Sequence, residues 1–117
     1  MAAPNMLNPT TITGKTAVQA VGISATAIVT NSAASGKVIK VNALYVSNVD
    51  GVSDAAISVD VFRSSVAYHV AKTITVPADA TLDLVSKPIY LEEGDTLRLT
   101  ASAASDLEAV CSYEEIS

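Results

Sequence analysis

The sequence predicts an all-β chain: a single-domain antiparallel β-sandwich or jelly-roll-like barrel of about eight short strands, with an extended N-terminal arm. Three observations point there. Short runs rich in Val, Ile and Thr alternate apolar and polar side chains along most of the chain, the period of a strand with one buried face. Clusters of Gly, Pro, Asn, Asp and Ser divide these runs at roughly even spacing. Ala-rich pieces such as Ala101 to Ala104 stand among Ser and Thr and extend into no apolar stripe of helical period.

The elements follow in chain order. Residues 1–10 place Pro4, Pro9, Asn5 and Asn8 around the isolated apolar Met6 and Leu7, and read as an arm; residues 11–117 form the β-sandwich domain. Ile12 to Val21 and Thr26 to Thr30 are the first strand candidates, divided around Gly22, and Asn31 to Gly36 is a loop by composition. Lys37 to Val49 reads as a long strand closed by a turn at Asp50-Gly51. Ile57, Val59 and Val61 alternate with Ser58, Asp60 and Phe62, the clearest half-buried strand in the chain. Arg63-Ser64-Ser65 makes a tight connection into Val66, Tyr68 and Val70, and Thr73 to Val76 is a separate short run stopped by Pro77. Leu82 and Leu84 form the next alternation, and Ile89-Tyr90-Leu91 resumes after Pro88. Glu92-Glu93-Gly94-Asp95 is a turn with Gly94 as its left-handed residue. Leu97, Leu99 and Ala101 supply one more strand, and Leu107, Ala109, Cys111 and Tyr113 the last.

Composition narrows the function. Ala, Val, Ser and Thr make up half of the 117 residues, while aromatics are 4% and charged residues 16%, well below the roughly 25% charge usual in globular domains. An apolar fraction of 50% excludes a disordered chain. One His and one Cys cannot build a His cluster, a disulfide framework or a zinc site. The net charge of −5 is uneven: residues 1–78 carry +2 and residues 79–117 carry −7. No clustered basic face is visible, so nucleic acid is not an expected partner. The first 36 residues hold a single charge, Lys15, yet Thr16 to Gly36 is too often interrupted by polar residues to span a membrane. Met1 to Asn5 supplies no basic start for a signal peptide.

Candidate chemistry is sparse. Gly14-Lys15-Thr16 matches the end of a phosphate-binding loop, but position 9 is Pro where that loop needs Gly, and no helix follows. His69 and Cys111 have no third group at a spacing that suggests a catalytic set; His69 is expected on the surface and Cys111 as a small buried hydrophobe. Asp50, Asp54 and Asp60, or Glu92, Glu93 and Asp95, match no calcium loop and are expected as acidic turn residues on solvent. Two carboxylates for glycoside hydrolysis would also want aromatic platforms that five aromatics hardly provide. No catalytic residue, cofactor or metal is expected.

Several stretches carry a resemblance. They are Met1-Ala2-Ala3-Pro4-Asn5, Thr11-Ile12-Thr13-Gly14-Lys15-Thr16, Leu44 to Gly51, Leu91 to Ser102, and Ser112-Tyr113-Glu114-Glu115-Ile116. In these the chain resembles small structural proteins of tailed bacteriophages of marine bacteria, such as cyanophages. The resemblance implies a virion component: a capsid decoration (cement) protein, often an all-β homotrimer, or a subunit of a head or tail appendage. It implies a place in the virion after synthesis in the host cytoplasm. The expected partners are other copies of the chain and the phage major capsid protein or another virion protein, with no membrane involved. Exposed apolar area on so hydrophobic a chain, with a mean hydropathy of +0.40, suits an oligomer interface. Pro4, Met6, Leu7 and Pro9 of the arm are the candidate contacts to a neighbour or the capsid. The alternative is a fibre-associated module that contacts host surface polysaccharide through Tyr45, Tyr68 or Tyr90.

Overall fold

Stiff β-branched side chains suit a pleated surface, and the runs that carry them become nine strands. They are β1 (Ile12–Ala20), β2 (Thr26–Thr30), β3 (Val38–Asn48), β4 (Ala55–Arg63), β5 (Val66–Val76), β6 (Thr81–Asp83), β7 (Ile89–Leu91), β8 (Thr96–Ala101) and β9 (Leu107–Ile116). The structure is a computed structural model that describes residues 4–117. Met1, Ala2 and Ala3, where the expected arm begins, lie outside the described residues.

The strands form two antiparallel sheets. One has the order β1-β9-β3-β6, with β7 also paired to β3; the other has the order β2-β8-β4-β5. The pairing is nested: β1 with β9, β2 with β8, β3 with β6 and β7, β4 with β5. A long hairpin rolled up so that its arms alternate between two layers gives this pattern, the double-sheet jelly roll. Of the two architectures expected, the structure is the jelly-roll form of a sandwich.

The core between the sheets is aliphatic. Ile39, Val41, Leu44 and Val46 of β3 and Leu107, Ala109 and Cys111 of β9 meet Ile57 and Val59 of β4 and Leu97, Leu99 and Ala101 of β8. Val41 and Leu44 are three residues apart yet both point inward, because a bulge at Asn42 inserts one residue into the ladder with β9. Two buried asparagines clasp the layers. Asn31 donates its amide to the Lys37 and Leu91 carbonyls at 3.0 Å, and Asn48 donates to the Ser53 and Val76 carbonyls at 2.9 Å. With these bonds made, burying the amides carries little penalty.

Some boundaries differ from expectation. Thr73 to Val76 is not a separate strand but the end of β5. The register with β4 steps from Ile57 opposite Ile74, to Val59 opposite Ala71, to Asp60 opposite His69; Thr73, at a φ of 51°, absorbs part of the slip and donates its N–H to Ser58 Oγ. The Leu82 and Leu84 alternation gives only the three residues of β6, which lies end to end with β7 along one side of β3. Between them, Pro88 supplies no N–H for the ladder. The arm is not extended throughout: Asn8 N–H bonds the Asn5 carbonyl and Leu7 N–H bonds Asn5 Oδ1, closing a turn.

Candidate functional site

Three surfaces hold the sequence-derived candidates. The first is the rim where the β4–β5 hairpin approaches β7. Ser64 and Ser65, at φ of 51° and 62°, form a two-residue turn with both central residues left-handed, the geometry that matches strand twist. This places Tyr68 beside Tyr90 in a groove of about 370 Å³ lined by Val61, Arg63, Tyr68, Ile89 and Tyr90. Both tyrosines are exposed.

Arg63 anchors one side of that groove. Its Nε donates to Asp95 Oδ1 at 2.7 Å, and its Nη2 bonds both Asp95 Oδ2 and Glu92 Oε2. Asp95 Oδ2 also accepts the Glu92 N–H at 2.8 Å. The Arg63 hydrogen bonds, with the Glu92 N–H helping and burial opposing, hold the Asp95 carboxyl below its ordinary range. The carboxylate in turn raises the already high pKa of Arg63. Glu93 Oε2 accepts the Gly36 N–H, and the backbones of Asn31, Gly94 and Asp95 exchange bonds, so this acidic turn is stitched to the loop after β2.

The second surface is the outer face of the β1-β9-β3-β6 sheet. The registers set Val18 opposite Val110 and Val110 opposite Tyr45. Directly opposed residues share a face, so the three form a row running across the sheet, with exposures of 75%, 41% and 45%. Four residues along β1 and β9, Gly14, Glu114 and Lys40 form a polar row, and beyond it the exposed Ile12 lies beside the buried Ile116 and Val38. Tyr45 therefore lies apart from the other two tyrosines: it pairs with Asp83 at one end of β3, and Tyr90 pairs with Lys40 towards the other.

The third is the arm. Met6 and Leu7 are exposed, and Pro4 and Pro9 are half-buried. Beyond Pro9 the chain is fixed, since the Thr10 and Thr11 N–H groups bond the Ser117 carbonyl and Ser117 N–H bonds the Thr11 carbonyl.

The remaining candidates are kept apart by the pleat. His69 is exposed on the outer face of its sheet, opposite Asp60, while Cys111 faces the core from the other sheet. They cannot act together. Burial pushes the Cys111 thiol up to about 11, which removes the nucleophilic thiolate at neutral pH. Gly14-Lys15-Thr16 lies inside β1, where backbone N–H groups alternate direction and cannot cradle a phosphate. Lys15 instead meets Glu115 at 3.0 Å, and Lys37 meets the same oxygen at 3.3 Å.

The expectation of solvated acids is corrected at two positions. Asp60 and Asp95 are buried, each with an arginine that neutralises it. Arg98 Nε donates to Asp60 Oδ1 at 2.9 Å, and its guanidinium stacks 3.9 Å from the centre of the Phe62 ring. The sequence signal for this was Asp and Phe on the polar face of the clearest strand, but the partner arginine lies in a strand far along the chain. Among the described residues no three His, Cys, Asp or Glu side chains group as metal ligands, and no helix is long and apolar enough to cross a membrane.

No protein-family model matches the chain, and no curated protein does. A solved structure is similar: a chain from Bacillus endospore appendages, which form a family of disulfide-linked pili. The similarity covers 92% of this chain and 88% of that one, with a TM-score of 0.54 and 14% identity. At that identity the two share a fold.

Proposed function

We propose that the chain is a non-enzymatic structural subunit of an assembly outside the cell, and in the finer reading a decoration (cement) protein on the head of a tailed phage. The carrying observation is the exposed row of Val18, Val110 and Tyr45 on a sheet face. Side chains of this size on one flat surface gain from being covered. The fold shared with an appendage chain supports a packing role, and the resemblance to phage structural proteins supports the head as its place. Assembly in that pilus family is described as disulfide-linked; the single Cys111 here is enclosed in the core, so this chain associates by noncovalent contacts. The test is cosedimentation of the purified chain with expanded phage heads. Val110→Glu abolishes binding, and deletion of residues 1–10 weakens it while the sandwich stays folded. Failure of the wild type to bind heads refutes the finer reading.

A second reading has its own observation. Tyr68 and Tyr90 converge on one groove beside the Arg63 cluster, and aromatic faces beside charged hydrogen-bonding groups suit a sugar. On this reading the chain contacts host polysaccharide, and Tyr68→Ala removes binding on a glycan array. Wild-type silence on such an array discards it.

A further inference from the structure

The four sheet edges are not alike. β2 has five residues and a register shift against β8. β5 is interrupted by two register shifts, carries Lys72 and turns left-handed at Thr73. The β6 and β7 edge is two three-residue pieces separated by a loop that contains Pro88. Each is a device that stops another strand from adding. β1 has no register shift, no left-handed residue and no proline. It pairs with β9 over nine consecutive residues, and has one charged residue, Lys15, already held by Glu115.

The hydrogen-bond phase of this edge follows from its start. Thr11 and Ser117 exchange both backbone bonds, so by alternation Thr13, Lys15 and Ala17 also bond to β9. Ile12, Gly14, Thr16 and Val18 then turn their N–H and C=O groups outward, and these groups have no partner among the described residues.

We propose that β1 is the contact through which two copies of this chain join, antiparallel, about Lys15. The inference deepens the structural-subunit reading and rests on it for its purpose. In this register Ile12 faces Val18 of the second copy and Gly14 faces its Thr16. Every outward group finds a partner, with about eight hydrogen bonds formed. The arrangement also extends the exposed apolar row: Tyr45, Val110 and Val18 of one copy continue into Ile12 of the other, and the symmetric row repeats beside it. A shift by two residues breaks both alignments. Lys15 of each copy then faces Lys15 of the other, a like-charge contact that the ion pair of each with its own Glu115 offsets. The arm makes a poorer added strand, since Pro4 and Pro9 lack N–H donors. A two-fold contact is closed and gives even-numbered assemblies, in contrast to the trimer implied by the family resemblance.

Native mass spectrometry and sedimentation of the full chain test this. The wild type is expected to be dimeric. Thr16→Pro removes only an outward donor from each copy, leaves the β9 ladder intact, and weakens association by about 30-fold or more. Lys15→Cys places one thiol of each copy at a non-hydrogen-bonded pair across the two-fold, and forms a disulfide-linked dimer under mild oxidation, whereas Val18→Cys does not. A wild-type monomer, a trimer, or a dimer cross-linked equally at both positions overturns the proposal. A monomer that still binds phage heads overturns the strand pairing alone and leaves the structural role standing. A dimer that binds no heads does the reverse.

Discussion

β1 and β5 each close one side of a sheet, and both expose apolar side chains, yet they are built oppositely. β5 spends its eleven residues on two slips of register, a left-handed Thr73 and a charged Lys72. Its neighbour turn is tied down by Arg63 and the buried Asp95. β1 runs without a register shift for nine residues, and its one ion pair joins the partly exposed Lys15 to the half-buried Glu115. The difference teaches that two edges with similar exposed hydrophobicity can differ in how readily their backbone accepts another strand, because main-chain hydrogen bonds set the register that side chains then fill.

The strongest challenge to this contrast comes from the core beneath both edges. Leu99→Ala is expected to destabilise by about 3–4 kcal/mol, and hydrogen exchange should show β1 and β5 losing protection together. Independent opening of either edge would mean that the strands differ through local stability and not through edge design. Next, Asp95→Ala leaves the Glu92 N–H without its acceptor and Arg63 with Glu92 alone, and is expected to cost about 2–3 kcal/mol by denaturant unfolding. Its pH signature has a defined sign. The Asp95 carboxyl is held below its ordinary 3.8, so its contribution is complete above that value and is lost as pH falls through the lowered one. Glu115, lowered chiefly by the Lys15 hydrogen bond, follows the same sign at the β1 end. Added salt should weaken the half-buried Glu115 cluster more than the pair made by the buried Asp95.

Smaller effects sharpen the β5 side. Replacing Ser64-Ser65 by Asn-Gly removes left-handed strain and is expected to raise stability by about 1 kcal/mol. Lys72→Val changes stability by less than about 0.5 kcal/mol, and sedimentation should show no new association, since the bulges still prevent pairing. Association on this single change would show that charge, not shape, guards β5.

Much of the fold was legible locally. Alternation at Ile57 to Phe62, Leu97 to Ala101 and Leu107 to Tyr113 marks strands because one buried face imposes period two on the sequence. The Gly94 turn and the Ser64-Ser65 connection were legible because their backbone geometry restricts residue type. What was not legible depends on distant pairing. Asp60 reads as a solvated acid until β8 brings Arg98 against it. Thr73 reads as a strand start because a bulge within β5 shows no break in composition. The tyrosines could be named but not grouped: Tyr68 and Tyr90 meet only after the sheets are layered, and Tyr45 is left towards the other end of β3. Likewise nothing near Ile12 to Val18 announces that this strand ends a sheet; that follows from the nested order of all nine.

The nested order also has a consequence in time. β9 sits between β1 and β3, so the first strand of the sheet waits for the ninth before it can pair. At the usual synthesis rate of about 5–20 residues per second, that interval is on the order of ten seconds. During it β1 has two open sides instead of one. A chain that offers its most regular edge strand first and shelters it last is exposed to mispairing while being made, most of all where many copies are translated side by side.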